Sequence, residues 1–283
     1  ELYQQQGKFE DAAGQYDQFL TLFPDDPRVA EVQEKLPDVY LGWAENLIIE
    51  KKFEECEEKL NMILADFATS TAATQVPTVM VSLQAAWGQE LAQKSDFIQA
   101  IEKLTAAKAG LTDAQLLKIV EEALNSAIQG LAKDDGEQGS QVLEEAILQA
   151  CAYQTVTSPA IGILTDSVHA VMCAKNLTLE DKYIPTRPGD FYYAVFVKEG
   201  YNEIERCPYG RTGAFTLIRQ QVYWEVTIRN VVTGQVYQQK TFTGGTPNAC
   251  PPQWYFDSLP DYLLGSYPDG NAVIKWVQGF LKP

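Results

Sequence analysis

The chain has 283 residues, 46% of them hydrophobic and 21% charged, with 5 Trp, 14 Tyr and 12 Phe and a net charge of −16. That is apolar material for one large core or two ordinary ones, and it excludes wholesale disorder. The surplus of acid argues against nucleic acid as a partner, because phosphate contacts need Lys and Arg, and a single histidine, His169, excludes a histidine-rich metal site.

Residues 1–150 hold 27 Asp+Glu and 11 Lys+Arg, a net of −16, whereas residues 151–283 hold 11 of each. Aromatics run the other way, 11 and then 20, and prolines split 4 and 10. The shift predicts two domains, 1–150 and 151–283, and an α+β fold class. The expected architecture is an α-helical repeat solenoid followed by a small, mainly antiparallel β domain with a closing helix.

The first half is rich in Ala, Leu, Glu, Gln and Lys and poor in Pro and Gly, which is helical composition. It repeats with a period of 44: Phe9, Phe53 and Phe97 keep that interval, as do Trp43 and Trp87, and Ala12, Cys56 and Ala100. Gly7, Lys51 and Ser95 keep it too, and a decayed fourth copy runs from about Thr112 to Ala150, with Ala132 placed 44 after Gly88. Small residues in one column let neighbouring helices approach, and bulky ones fill the space between pairs. The chain begins at Glu1-Leu-Tyr, where the repeat pattern predicts the inside of a helix, so the natural polypeptide is expected to extend N-terminally, where an anchor can sit.

The columns Tyr3, Gly7, Phe9, Ala12, Tyr16, Phe19 and Pro24 to Pro27 resemble the second part of a tetratricopeptide repeat. Tyr40, Trp43, Ala44, Leu47, Phe53, Cys56, Leu60 and Ile63 fill the next copy, and Gln84, Trp87, Gly88, Leu91, Phe97, Ala100, Leu104 and Ala107 the one after. The period departs from the family's usual length of about 34, and longer helices would absorb the excess. The resemblance covers residues 1 to about 110. It implies a concave binding face lined by Asp38, Leu41, Glu45 and Ile48, then Ser82, Ala85, Gln89 and Ala92. These do not make the Lys/Arg clamp that holds a peptide carboxylate, so the implied partner is a basic or apolar protein segment, or the protein itself. The run Glu54, Glu55, Glu57, Glu58 reads as a solvated helix face, or as an acidic surface for such a partner.

The second half reads as strand. Phe191-Tyr-Tyr-Ala-Val-Phe-Val197 is a continuous apolar run, as in a strand covered on both faces. Val222, Trp224, Val226 and Ile228 alternate with polar neighbours in a half-buried strand, and Thr233-Gly234 turns the chain into a hairpin partner ending at Phe242. The spacing of Val273, Trp276, Val277 and Phe280 fits a short closing helix.

Five cysteines are present, at 56, 151, 173, 207 and 250. Cys56 sits in the small-residue repeat column and reads as packing. With no CxxC pair a zinc site is not expected. A Cys207–Cys250 disulfide is the preferred reading, against two free thiols in a reducing compartment; Cys151 and Cys173 are either bridged or free. Any bridge would place the protein outside the cytoplasm. No apolar run of about 18 residues occurs, so this stretch holds no membrane span.

No cofactor, phosphate-loop, zincin or nucleophile-elbow motif is present. His169 with Asp166 and Ser167 tempts a triad, and with Cys173 a dyad, but a structural histidine fits the strand-like setting better. Asp134-Asp-Gly-Glu137 and Asp269-Gly-Asn271 read as turns, because neither has the alternating ligands of a calcium loop. Tyr192, Tyr201, Tyr209, Tyr223, Trp254, Tyr255 and Tyr267 are either a sugar-stacking platform or the cover of a small core. Asn176-Leu-Thr178 is a glycosylation sequon, relevant only in a secretory host. The expectation is therefore a non-enzymatic protein-interaction scaffold at a bacterial cell envelope, with no cofactor and no catalytic residues. The alternatives are a self-assembling structural subunit and a carbohydrate-binding module in the β domain.

Overall fold

The computed structural model describes residue 3 and residues 6–174, 176–210, 215–252 and 261–283. The chain forms two compact units, Glu1–Gly130 and Leu131–Pro283.

Among the described residues seven helices precede the sheet and pack in sequence as antiparallel pairs: α1 (Phe9–Leu22), α2 (Val29–Ile49), α3 (Phe53–Asp66), α4 (Thr71–Gln93), α5 (Phe97–Gly110), α6 (Ala114–Lys133) and α7 (Glu137–Cys151). Their lengths alternate. The helices α2, α4 and α6 have 21, 23 and 20 residues, and α1, α3, α5 and α7 have 14, 14, 14 and 15. The turns repeat as well. Gly7, Lys51 and Ser95 take left-handed φ of 73°, 59° and 62°. In each turn the next amide reaches back five residues, Lys8 N to Tyr3 O, Lys52 N to Leu47 O and Asp96 N to Leu91 O, at 2.8, 2.9 and 2.9 Å. That bond satisfies a carbonyl that the helix end would otherwise orphan.

The core keeps the same period. Cys56 and Ala100 are wholly buried, Ala12 nearly so, and Leu60 and Leu104 are buried 44 residues apart. A Cβ on Gly42 would lie 2.5 Å from Phe9 Cε1, and one on Gly130 2.3 Å from Phe97 Cε1. Ala86 occupies the matching place between them in sequence. Close approach at this column is thus what lets the Phe ring of one helix seat against the next.

The second unit carries β1 (His169–Met172), β2 (Phe191–Tyr209), β3 (Phe215–Asn230), β4 (Val236–Thr243), β5 (Tyr262–Leu264) and α8 (Gly270–Gln278). The sheet order is β1-β2-β3-β4, with β5 on β3 beyond the end of β4. β1 runs parallel to β2 and β5 parallel to β3; the other pairs are antiparallel. Alternation divides the apolar run between two faces. Ala194 and Phe196 pack with Leu143, Ala146 and Ala150 of α7, while Val195 joins Val226, Ile228 and the α8 residues Val273 and Val277. α7 therefore belongs with the sheet. Asn230 Oδ1 accepts the Val232 and Thr233 amides to make the β3–β4 turn, where Gly234 has φ 70°.

Two disulfides form, Cys151–Cys173 and Cys207–Cys250. They suit an oxidising compartment. The first joins the end of α7 to the segment after β1, and the second lies within the sheet unit. Cys207 sits inside β2, because that strand runs on well past the apolar run that ends at Val197. No helix among the described residues is long and apolar enough to cross a membrane.

Candidate interaction surface on the helical unit

The two repeat tryptophans carry matching lysines and different aromatic neighbours. Trp43 stacks on Tyr40 and lies under the Lys59 ammonium at 4.7 Å; Trp87 stacks on Phe53 and lies under Lys103 at 3.9 Å. Lys59 and Lys103 are again 44 apart, so the lysines take part in the framework through cation–π contacts. Glu90 holds Lys51 at 2.5 Å and Lys94 at 3.3 Å, and these cations keep its carboxyl below the usual range. Tyr40 donates to Asp17 Oδ2 at 3.0 Å; burial, then that carboxylate, pushes the phenol up to about 12.

Carboxylates that the framework does not use gather elsewhere. A cleft of about 450 Å³ opens where α2 passes the α3–α4 junction. Its lining includes Glu34, Asp38 and Asp66 over Phe67, and no Lys or Arg among the described residues. Glu34 and Asp38 are one turn apart on α2 and so share a face. Pro37 lies between them and offers no N–H to the Gln33 carbonyl, which also lines the cleft. The capped N-terminus of α4 contributes Ser70 and Thr71, and Ser70 Oγ accepts the Ala73 amide at 3.1 Å. A helix N-terminus contributes only about half a positive charge. Three carboxylates outweigh it, and the cleft remains acidic in character. The next repeat carries Thr78 and Ser82 where this one carries Glu34 and Asp38, so the acidity is local to one junction.

Of the residues expected on the concave face, Asp38, Glu45 and Ser82 are exposed. Leu41 is buried in the core around Ala44 and Leu60. Ile48, Ala85, Gln89 and Ala92 are half-buried, and Ala85 and Ala92 pack against Ala100 and Leu104. The structure therefore brings Asp38 together with Glu34, Asp66 and Phe67, none of which sequence reasoning had selected. Acidic residues spaced i, i+4 beside a helix proline were the legible half of that signal. Asp66 comes from another helix and has no local mark.

The other sequence candidates are placed as follows. Ser167 and His169 lie near Asp190, not Asp166: the Ser167 hydroxyl donates to Asp190 Oδ1, Arg187 holds the same carboxylate at 2.9 and 3.0 Å, and His169 Nδ1 stands 4.0 Å away. Burial lowers the His169 pKa, against the pull of Asp190. Cys173 is committed to Cys151 and is no free thiol. Cys56 is a buried free thiol whose pKa burial raises to about 11. Asp134 and Asp269 accept backbone amides of their own turns, from Gly139 at 2.7 Å and Asn271 at 2.9 Å. The Glu54 to Glu58 run lies along α3, with Glu54, Glu55 and Glu58 exposed. Asn176 is exposed.

The tyrosine set is divided. The Tyr192 hydroxyl donates to Leu164 O on the α7 side and that of Tyr209 to Pro251 O, whereas Tyr267 lies beside Trp224 on the α8 side. Trp254 and Tyr255 lie outside the described residues. No protein-family model, curated protein or solved structure matches this chain.

Proposed function

We propose that the protein is a non-enzymatic interaction scaffold of a bacterial cell envelope, whose helical unit captures a basic segment of a protein partner. The single observation that carries the reading is the acidic cleft of Glu34, Asp38 and Asp66, with Phe67 as an apolar contact and no cation in its lining among the described residues. A Lys or Arg side chain fits such a site: its charge meets carboxylates and its methylene stem lies on the ring. The helical unit is read as a lengthened tetratricopeptide-like array. Its alternating helices of 20–23 and 14 residues put the excess over about 34 mainly into the longer helix. The two disulfides support an extracytoplasmic location. The test is capture from an envelope extract by the whole chain and by its Glu34→Lys/Asp38→Lys variant, at low and physiological salt. Partners should be held by the natural chain, weakened by salt and lost with the variant. Equal capture by both chains counts against the cleft.

A further inference from the structure

The face of the sheet that carries α8 is covered by it only in part. α8 packs on Val195, Val226 and Ile228, toward one end of β2 and β3. Toward the other end Tyr201 pairs with Val222, and Tyr262 and Leu264 of β5 pair with Ile218 and Gln220. Paired residues share a face, and positions 218, 220 and 222 of β3 continue the face of Val226 and Ile228. There Tyr201, Gln220, Tyr262 and Leu264 line a cleft of about 680 Å³. Sites for small ligands run to about 300–1,000 Å³. Tyr201, Tyr262 and Leu264 are 45%, 48% and 43% exposed.

Polar groups are set among these rings. Glu199 pairs with Trp224 across the strands, and its carboxylate accepts from the Tyr201 hydroxyl and from Trp224 Nε1, the latter at 3.4 Å. Glu199 is exposed, and a carboxylate has room for further donors. Tyr267 lies beyond, its ring centroid 6.1 Å from that of Trp224. The Gln220 amide and the Tyr262 hydroxyl have no hydrogen-bond partner among the described residues. Glu203 and Arg206 close on each other at 2.6 and 3.0 Å, and the lining itself holds no ionised side chain among the described residues.

This set of groups selects the ligand. A dry apolar partner would bury the amide and the hydroxyl unpaired, which is costly. An acidic one would meet Glu199 as a like charge. A neutral sugar chain supplies both complements: C–H faces to lie on the rings, and hydroxyls, each donor and acceptor, for Gln220, Tyr262 and Glu199. We propose that this cleft binds a neutral glycan, whose pyranose rings stack on Tyr201 and Tyr262 while their hydroxyls bond to Gln220 and Glu199. The site lies in the other unit from the acidic cleft and shares no residue with it.

Calorimetric titration of the disulfide-intact 283-residue chain with hydroxyethylcellulose, galactomannan, glycol chitin and pullulan tests this, with polygalacturonate as the acidic comparison. At least one neutral polymer should bind, equally at roughly 20 mM and 150 mM salt, because no ion pair holds it. Tyr201→Ala and Tyr262→Ala should each weaken that binding roughly three- to tenfold, and Tyr201→Phe, which keeps the ring, should stay within about twofold. Gln220→Leu keeps the volume and removes the amide, so it should weaken a glycan and would strengthen an apolar ligand. Circular dichroism should be unchanged in each variant. Binding to none of the neutral polymers overturns the proposal. So does binding that salt screens away, binding untouched by both alanine variants, or binding that Gln220→Leu strengthens.

Discussion

Removing the disulfides should unfold the sheet unit and spare the helical one. Cys207–Cys250 spans a sequence separation of 43 and Cys151–Cys173 one of 22. On the loop-entropy account these closures contribute about 4 and about 3 kcal/mol by restricting the unfolded chain. The native loop at Cys250 has other holds. Arg219 donates to the Asn248 and Pro247 carbonyls and Tyr209 to that of Pro251, each at 2.7 Å. Loss of the bridge should therefore leave the folded geometry in place and show mainly the entropic effect. Together the two bridges amount to about 7 kcal/mol, against a typical domain stability of about 5–15. Urea unfolding of Cys207→Ala/Cys250→Ala, of Cys151→Ala/Cys173→Ala and of the fourfold variant measures this, with near-ultraviolet signal for the sheet unit and far-ultraviolet helical signal for the other. Each pair should lower the sheet unit's stability by roughly 3–4 kcal/mol. The fourfold variant should leave that unit unfolded or nearly so, while the helical transition stays where it was. A fourfold variant whose sheet unit unfolds at the natural urea concentration would refute the reasoning.

Gly130→Ala should destabilise the helical unit by about 1–2 kcal/mol, because crowding against Phe97 outweighs a helix-propensity gain of about 1 kcal/mol; adding Phe97→Leu should recover part of the loss in thermal unfolding. His169 gives the sheet unit an acid limit. Its pKa lies below that of the unfolded chain, so stability is complete above about pH 6.5 and falls with decreasing pH as the unfolded state alone takes up the proton, at up to about 1.4 kcal/mol per unit. Unfolding measured between pH 7 and 5 (about the ordinary histidine range) should lose that slope in His169→Phe.

The repeat was legible because Phe9, Phe53 and Phe97 and the two tryptophans do the same packing work in each copy, and packing demands the same shape each time. The left-handed turns were less so: Lys51 and Ser95 stand where glycine is the usual signal, and only their register with Gly7 marks them. The apolar stripe of α7 has helical period like the others. Period specifies a face and not its partner, so nothing in 137–151 marks that Leu143 and Ala146 meet Phe191 and Ala194. Past Val197, β2 continues through exposed polar residues held by cross-strand bonding to β3, which leaves no hydrophobic alternation to read. β5, at three residues, is placed by its partner alone. The acidic cleft was half visible, through Glu34 and Asp38 one turn apart on α2; Asp66 joins them only once α2 and α3 are packed.

The central claim is that Glu34, Asp38 and Asp66 together form a cation-accepting docking site. Its most direct test is a titration of the whole chain with a fluorescent Lys/Arg-rich peptide, beside an acidic peptide of equal length, at roughly 20 mM and 150 mM salt, where screening lengths differ about threefold. The basic peptide should bind the natural chain, weaken clearly at the higher salt, and lose at least about tenfold in affinity with Glu34→Lys/Asp38→Lys/Asp66→Lys, while reversal of the exposed Glu54, Glu55 and Glu58 on α3 has a much smaller effect. Equal binding to the cleft variant, or an effect no larger than that of the α3 reversal, would contradict the account and leave only the general negative charge of the chain.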